Sequence, residues 1–195
     1  MTDADPQDAP RPGRPDDVTR AGILTGLLGQ FPPGRLIDLA TGTGWFAVLA
    51  ADLGWEVTAI DARHRDRAAH PRVTWHDQDV RDASLDGYDL ILCLGIFYHL
   101  TFADQMTLLA KCAGTPLIMD THVAMASEIT EGDGITGKAV SENGGLLSAC
   151  GNSESFWPTA ASLERMLAVH GYQVTAYEPW WAPDRTFFTC MPGPA

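Results

Sequence analysis

Residues 35–61 read Arg35-Leu36-Ile37-Asp38-Leu39-Ala40-Thr41-Gly42-Thr43-Gly44-Trp45-Phe46-Ala47-Val48-Leu49-Ala50-Ala51-Asp52-Leu53-Gly54-Trp55-Glu56-Val57-Thr58-Ala59-Ile60-Asp61. The apolar run Leu36 to Leu39 has the length of a buried strand, and Ala40 to Gly44 forms a tight turn. A helical pattern follows through Leu53, Gly54 stops it, and a second apolar run, Val57 to Ile60, ends on Asp61. This is a β-α-β unit with a glycine-rich first turn. Glycine lets the backbone turn with positive φ and come close to a ligand. A carboxylate at the tip of the second strand is placed to accept hydrogen bonds from ribose hydroxyls. The unit therefore points to a nucleoside-containing cofactor.

The turn by itself leaves the cofactor open. Gly42-Thr43-Gly44-Trp45-Phe46-Ala47 fits G-x-G-x-x-A, the dinucleotide fingerprint. Together with Asp38, two places before the turn, it more closely resembles the loop of class I S-adenosylmethionine-dependent methyltransferases. In that family an acid at this place lies beside the methionine ammonium, whereas in a dinucleotide site it would sit near the pyrophosphate. Asp38 either serves that role or simply caps the turn. Ala40 departs from the family's usual glycine. The resemblance implies that Asp38, Ala40, Gly42 and Gly44 hold the methionine end and that Asp61, with Ala62, holds the ribose.

Tyr88 to Leu100 is the second informative stretch. Leu90 to Leu94 reads as a strand buried on both faces, and Gly95 ends it, leaving Phe97, Tyr98 and His99 in the loop beyond. Ligands in open α/β sheets bind beyond the carboxyl ends of the strands. The Leu-Gly-Ile-Phe-Tyr-His-Leu sequence at 94–100 resembles the fourth-strand motif of methyltransferases carrying L-G-(I/V)-(L/F)-Y-H-L. By that resemblance Leu94 contacts the cofactor and Tyr98 the acceptor. His99 is the leading candidate for a general base, since an imidazole accepts a proton near neutral pH. Strand five, Pro116 to Met119, closes on Asp120-Thr121-His122. Asp120 and His122 are expected to face the cleft, with Asp120 raising the pKa of His122 or one of them orienting the acceptor. The acid after strand three that the family sets against the adenine amino group is matched by Asp79, followed by Val80, with Asp77 as the alternative.

Bulk properties narrow the partners. The net charge of −12 disfavours a polyanion, because nucleic-acid binding leans on Lys and Arg clusters. No apolar run reaches the ~20 residues that span a bilayer, and the first residues lack a signal-peptide pattern, so a cytoplasmic protein is expected. Cys93, Cys112, Cys150 and Cys190 form no C-x-x-C pair, and neither a bridge nor a metal site is expected. Residues 1–17, rich in proline and aspartate, read as a disordered tail ahead of a single domain spanning 18–195. Val18 to Gln30 is helical in pattern despite three glycines, and the charged run Ala62 to Ala69 reads as a solvated helix or turn.

Residues 123–157 are irregular and glycine-rich, and read as a lid or short β-hairpin over the acceptor pocket, or as a flexible insert. Trp157 lies at its base. Thr159 is an N-cap for the last helix, which Gly171 ends. Tyr172 to Tyr177 and Arg185 to Met191 are strands with no helix between them, so they pair antiparallel. Trp181 and Arg185 are candidates for the acceptor wall.

The fold expected is a three-layer, Rossmann-like α/β sandwich with a seven-stranded sheet of order 3-2-1-4-5-7-6, the last strand antiparallel. The resemblance implies methyl transfer from S-adenosylmethionine, leaving S-adenosyl-L-homocysteine, to an oxygen or nitrogen of a small molecule or peptide in secondary metabolism, by a monomer or homodimer. The alternatives are a cyclase or pericyclase that binds S-adenosylmethionine without consuming it, an NAD-dependent oxidoreductase, and a non-catalytic binding module. Asp38 and the C-terminal hairpin argue against the oxidoreductase.

Overall fold

The computed structural model describes residues 15–145 and 148–194. Helix α1 (Pro15–Leu28) leads into β1 (Arg35–Leu39), α2 (Trp45–Asp52), β2 (Glu56–Asp61), β3 (Val73–Asp77) and β4 (Leu90–Leu94). Then come α3 (Phe102–Cys112), β5 (Leu117–His122), the short strands β6 (Ile129–Glu131), β7 (Ile135–Ser141) and β8 (Glu154–Pro158), and finally α4 (Ala160–Val169), β9 (Tyr172–Tyr177) and β10 (Arg185–Pro192). The main sheet has the order β3-β2-β1-β4-β5-β10-β9. Strand β10 runs antiparallel to both β5 and β9, so the expected seven-stranded order is the one observed. The tail reading for residues 1–17 lies outside the described residues except for 15–17, which open α1.

Side-chain alternation in the central strands sorts residues to two faces. Ile37, Leu39, Ile91, Cys93, Leu117 and Met119 pack with Leu109 of α3 and Leu167 of α4. Leu36, Leu90, Leu92, Leu94 and Ile118 pack on the other face with Leu24 of α1 and Ala47 of α2. By the same two-residue period, Asp38 and Asp120 share the α1–α2 face. Burial pushes the thiols of Cys112 and Cys190 up to about 12, so both behave as small apolar side chains.

Two regions differ from the expectation. Residues 129–158 build a three-stranded antiparallel sheet, β6-β7-β8, rather than a hairpin or an unstructured insert. Its glycines enable the pairing: a Cβ on Gly137 of β7 would stand 2.3 Å from the Trp157 carbonyl oxygen of β8. The charged run after β2 forms no helix. Nor is its face wholly solvated: the Arg67 side chain is only 3% exposed, and its Nε donates to the Gly42 carbonyl at 3.2 Å.

Gly44 sits at φ +84°, with its α-carbon facing Trp75 of β3 so closely that a Cβ would come within 2.4 Å of the indole ring. Gly44→Ala therefore combines left-handed strain with overpacking, and a loss of about 2–4 kcal/mol is expected. A thermal melt that left Tm within 2 °C of the parent (about 0.5–1 kcal/mol at this chain length) would contradict it.

Candidate functional site

The first β-α turn is a cradle made by backbone conformation. Ala40 and Gly42 both lie in the left-handed region, at φ 53° and 57°. The alanine thus takes the conformation a glycine would take without strain, at a cost of roughly 1–2 kcal/mol. A Cβ on Gly42 would meet nothing within 4 Å, so the turn opens onto free space. That space is a cleft of about 240 Å³, whose walls include Ala40, Gly42, Asp61, Ala62, Asp79, Val80, Ile96, Tyr98 and His99.

Asp61, at the tip of β2, accepts from the Gly42 N–H at 2.9 Å with Oδ2 and from the Arg63 N–H at 2.8 Å with Oδ1. Each carboxylate oxygen keeps a further lone pair, which suits a ribose diol. Asp38 lies beneath the turn, 2% exposed, and accepts from Thr41 Oγ1 at 2.5 Å. Burial raises its pKa to about 7, the neighbouring Asp61 adds to the rise, and Thr41 and Arg67 oppose it. A cation beside Asp38 would offset that desolvation. A pyrophosphate would worsen it.

Farther along the cleft, Asp79 and Val80 line the wall where an adenine is expected, but Asp79 is already engaged. Its Oδ1 accepts from the Arg81 N–H and Nε, both at 2.9 Å, and its Oδ2 accepts from Arg81 Nη2 at 2.7 Å. Those bonds hold its pKa below the ordinary carboxylate value against the effect of burial. The alternative acid, Asp77, pairs with His64 Nδ1 at 2.6 Å and is not among the cleft walls. Leu94 is also absent from them, because its position in β4 turns it toward α1 and α2, while Gly95 and Ile96 border the cleft.

The acceptor-side candidates converge, but not in the expected pairs. Tyr98 packs edge-on to His122 at 4.7 Å and to Trp157 at 5.4 Å, and His122 stacks on Trp157 at 5.0 Å. Burial and the Arg185 guanidinium lower the pKa of His122; Asp184 and, more weakly, Asp120 push it upward, but neither prevails. The ring's partner at Nδ1 is Asp184, at 3.0 Å. Arg185 Nη2 donates to His122 Nε2 at 2.8 Å, so both ring nitrogens are occupied. Asp120 is fully buried and takes Arg20 Nε and Nη2 on Oδ2, at 2.8 and 2.5 Å, and Arg185 Nη1 on Oδ1, at 2.6 Å. Arg185 thus pairs with Asp120 and His122. Trp181 is half-buried, and its neighbour Trp180 is 89% exposed.

Sequence reasoning missed three participants, Arg20, Lys138 and Glu142, and set a fourth, Asn152, only near the base of the lid. Arg20 reaches Asp120 from α1, and Lys138 of β7 places its Nζ 4.4 Å over the Trp157 ring. Glu142, just past β7, accepts from His99 Nδ1 at 2.9 Å. Asn152 donates from Nδ2 to the His99 carbonyl at 3.1 Å. Charged residues in a glycine-rich tract carry no local signal of what they touch once the tract folds back over a sheet. Among the described residues, no cluster of His, Cys, Asp and Glu could hold a metal ion, and no helix is long and apolar enough to cross a membrane.

A seven-stranded sheet with an antiparallel β10, and a cleft at the carboxyl ends of β1, β2 and β4, define a class I methyltransferase architecture. Residues 16–177 match the Methyltransferase domain family, and the chain belongs to it. Human glycine N-methyltransferase is 32% identical over 98 residues, covering 40% of this chain and 33% of that protein. The chain thus spans about a third of that relative's length. Among solved structures, the N-terminal domain of EvdMO1 with SAH bound superposes with a TM-score of 0.71 at 19% identity, covering 87% of this chain and 79% of that one. The Burkholderia thailandensis 1,6-didemethyltoxoflavin-N1-methyltransferase gives 0.64 at 16% identity, with 90% and 77% covered. The glycopeptide N-methyltransferase MtfA gives 0.60 at 15%, with 89% and 87% covered.

Proposed function

We propose that this chain transfers the methyl group of S-adenosylmethionine to an oxygen or nitrogen of a small molecule or peptide. The observation that carries the reading is the pairing of Asp61 and Asp38 around one open turn. Asp61 offers lone pairs at the ribose position, and Asp38 is a buried carboxylate that a cation would relieve. S-adenosylmethionine presents both a diol and an ammonium, and when bound it supplies an activated methyl group for displacement by a nucleophile. The protein's work is then to hold the acceptor in line and to take up its proton. Ala40 and Gly42 would shape the methionine end, with Gly44 setting the turn against Trp75. Ala62 would lie by the ribose, and Asp79 and Val80 by the adenine.

The sheet β6-β7-β8 serves as the acceptor's cover in this reading, with Tyr98 and Trp157 as its inner wall. His99 is the base. His122, Asp120 and Arg185 act as the framework behind it, because their polar atoms are committed to one another. Solved relatives named for toxoflavin and glycopeptide methylation support a secondary-metabolite acceptor. The low content of basic residues and the lack of a spanning helix among the described residues fit a small acceptor handled in the cytoplasm.

Calorimetric titration with S-adenosylmethionine, S-adenosylhomocysteine and NAD tests the reading. Binding of the first two in the micromolar range is expected, with none for NAD. Asp61→Ala should weaken both by about 100-fold, the worth of two charge-assisted hydrogen bonds. Binding of NAD in their place would overturn the assignment.

A further inference from the structure

We propose that Glu142 is a positioning residue that fixes the proton of His99 on Nδ1, leaving Nε2 as the proton acceptor in the cleft; this deepens, and rests on, the methyl-transfer reading. The two side chains come from distant parts of the chain, the turn after β4 and the end of β7, and meet at 2.9 Å. Both are mostly shielded, at 17% exposure for His99 and 7% for Glu142. Glu142 uses its other oxygen, Oε2, for Ser148 Oγ at 2.5 Å and the Ala149 N–H at 3.0 Å. Burial alone would raise its pKa, but hydrogen bonds from Ser148, Ala149 and His99 outweigh that and hold it at about 2. An ionised carboxylate can only accept, so the proton between the pair belongs to Nδ1.

The backbone and ring of His99 have further contacts. Asn152 binds the His99 carbonyl, and the Tyr98 ring lies 4.2 Å away. His99 borders the cleft, and among the described residues no hydrogen bond is made to its Nε2. His122 is the opposite case, with its Nε2 occupied by Arg185. When the acceptor atom's lone pair bonds to the methyl carbon, the methyl–sulfur bond would break with its electron pair left on sulfur, giving S-adenosylhomocysteine. The acceptor's O–H or N–H bond would break with its pair kept on the acceptor atom. The proton passes to His99 Nε2. The resulting imidazolium lies against the Glu142 carboxylate, and the proton then leaves to water through the open cleft. A positioned base of this kind contributes about 10²- to 10⁴-fold.

Glu142→Gln gives a test that needs no acceptor. The Ala149 N–H can only donate, so the amide oxygen must stay on that side and the amide NH₂ must face His99 Nδ1. That inverts the tautomer and places the proton on Nε2. In ¹⁵N-histidine NMR spectra of the full chain, wild-type His99 is expected as Nδ1–H and the Glu142→Gln variant as Nε2–H. Glu142→Ala, which removes the carboxylate without supplying a donor, should give a mixture. Diethyl pyrocarbonate, which acylates a free imidazole lone pair, should modify His99 at least ~10-fold more slowly in Glu142→Gln, with His64 as the unchanged control. An Nε2–H wild-type His99, or a variant with unchanged tautomer and reactivity, would overturn the proposal. Calorimetry on the same samples separates the two ideas: loss of S-adenosylmethionine binding in the wild type defeats the methyl-transfer reading, whereas an intact affinity with the wrong tautomer defeats the role of Glu142 alone.

Discussion

Asp38→Asn is expected to make the protein more stable above pH 7 while weakening S-adenosylmethionine binding about 100-fold. Burial raises the folded-state pKa of Asp38 from its ordinary 3.8 to about 7. An acid raised in this way costs nothing where both states hold the proton, below about pH 4. The cost grows as pH rises and is complete once the folded state must ionise, above pH 7. At pH 8 it amounts to roughly 4 kcal/mol at most, or about 10 °C in Tm for a chain of this size. Asparagine avoids the cost and can still accept from the Thr41 hydroxyl. Melts of both proteins from pH 4 to pH 8 should therefore show an advantage for the variant that widens with pH; a constant difference would mean Asp38 does not titrate between the states. Binding should respond oppositely. In the proposed site an ammonium beside Asp38 favours the carboxylate, so wild-type binding near pH 6 should release protons, detectable as a buffer-dependent heat. The variant should release none from this group. A carboxylate kept at a stability cost is what a cation site demands.

The parts of the fold carried by strong local patterns could be read from the residues alone. The run Leu36 to Ile60 alternates period and punctuation so clearly that the β-α-β unit, its turn and Asp61 all follow from it. The antiparallel β9–β10 pair is legible because Tyr172–Tyr177 and Arg185–Met191 have no helix between them. Strand phase was harder. Leu94 looks like any residue at a strand end, and only its alternation with Cys93 decides that it faces α1 and α2 rather than the cleft. Least legible were contacts set by tertiary approach. Nothing local to Glu142 announces His99, 43 residues away, and nothing near Arg20 announces Asp120, 100 residues away. The reading of Asp120 and His122 as a pair followed sequence proximity, yet the strand register sets Arg185 of β10 directly across from His122. That neighbour supplies the guanidinium that both residues bind.

Asp120→Ala is accordingly expected to cost stability, about 3–5 kcal/mol, or 10 °C or more in Tm. The carboxylate is fully buried and lies between two guanidiniums, of which the Arg20 and Arg185 side chains are only 17% and 12% exposed. Burial alone would lower the pKa of Arg185, but Asp120 beside it more than compensates, so the arginine stays charged. Removing the acid leaves two cations in a site poor in water, without their shared acceptor. Arg20→Met removes one of them, and the loss from Asp120→Ala should shrink by about 2 kcal/mol in that background, a coupling that a melt-based double-mutant cycle reads directly. The opposite pattern has a clear meaning. If Asp120→Ala melts within 2 °C of the wild type and shows no coupling to Arg20, the acid is not holding this corner together. If such a variant also binds S-adenosylmethionine normally but fails to turn over, Asp120 acts on the acceptor, as its place at the end of a central strand first suggested. The geometry favours the loss of stability over a role on the acceptor, because the Asp120 carboxylate already accepts three charge-assisted hydrogen bonds. On the proposed reading, proton transfer then falls to His99, which borders the cleft.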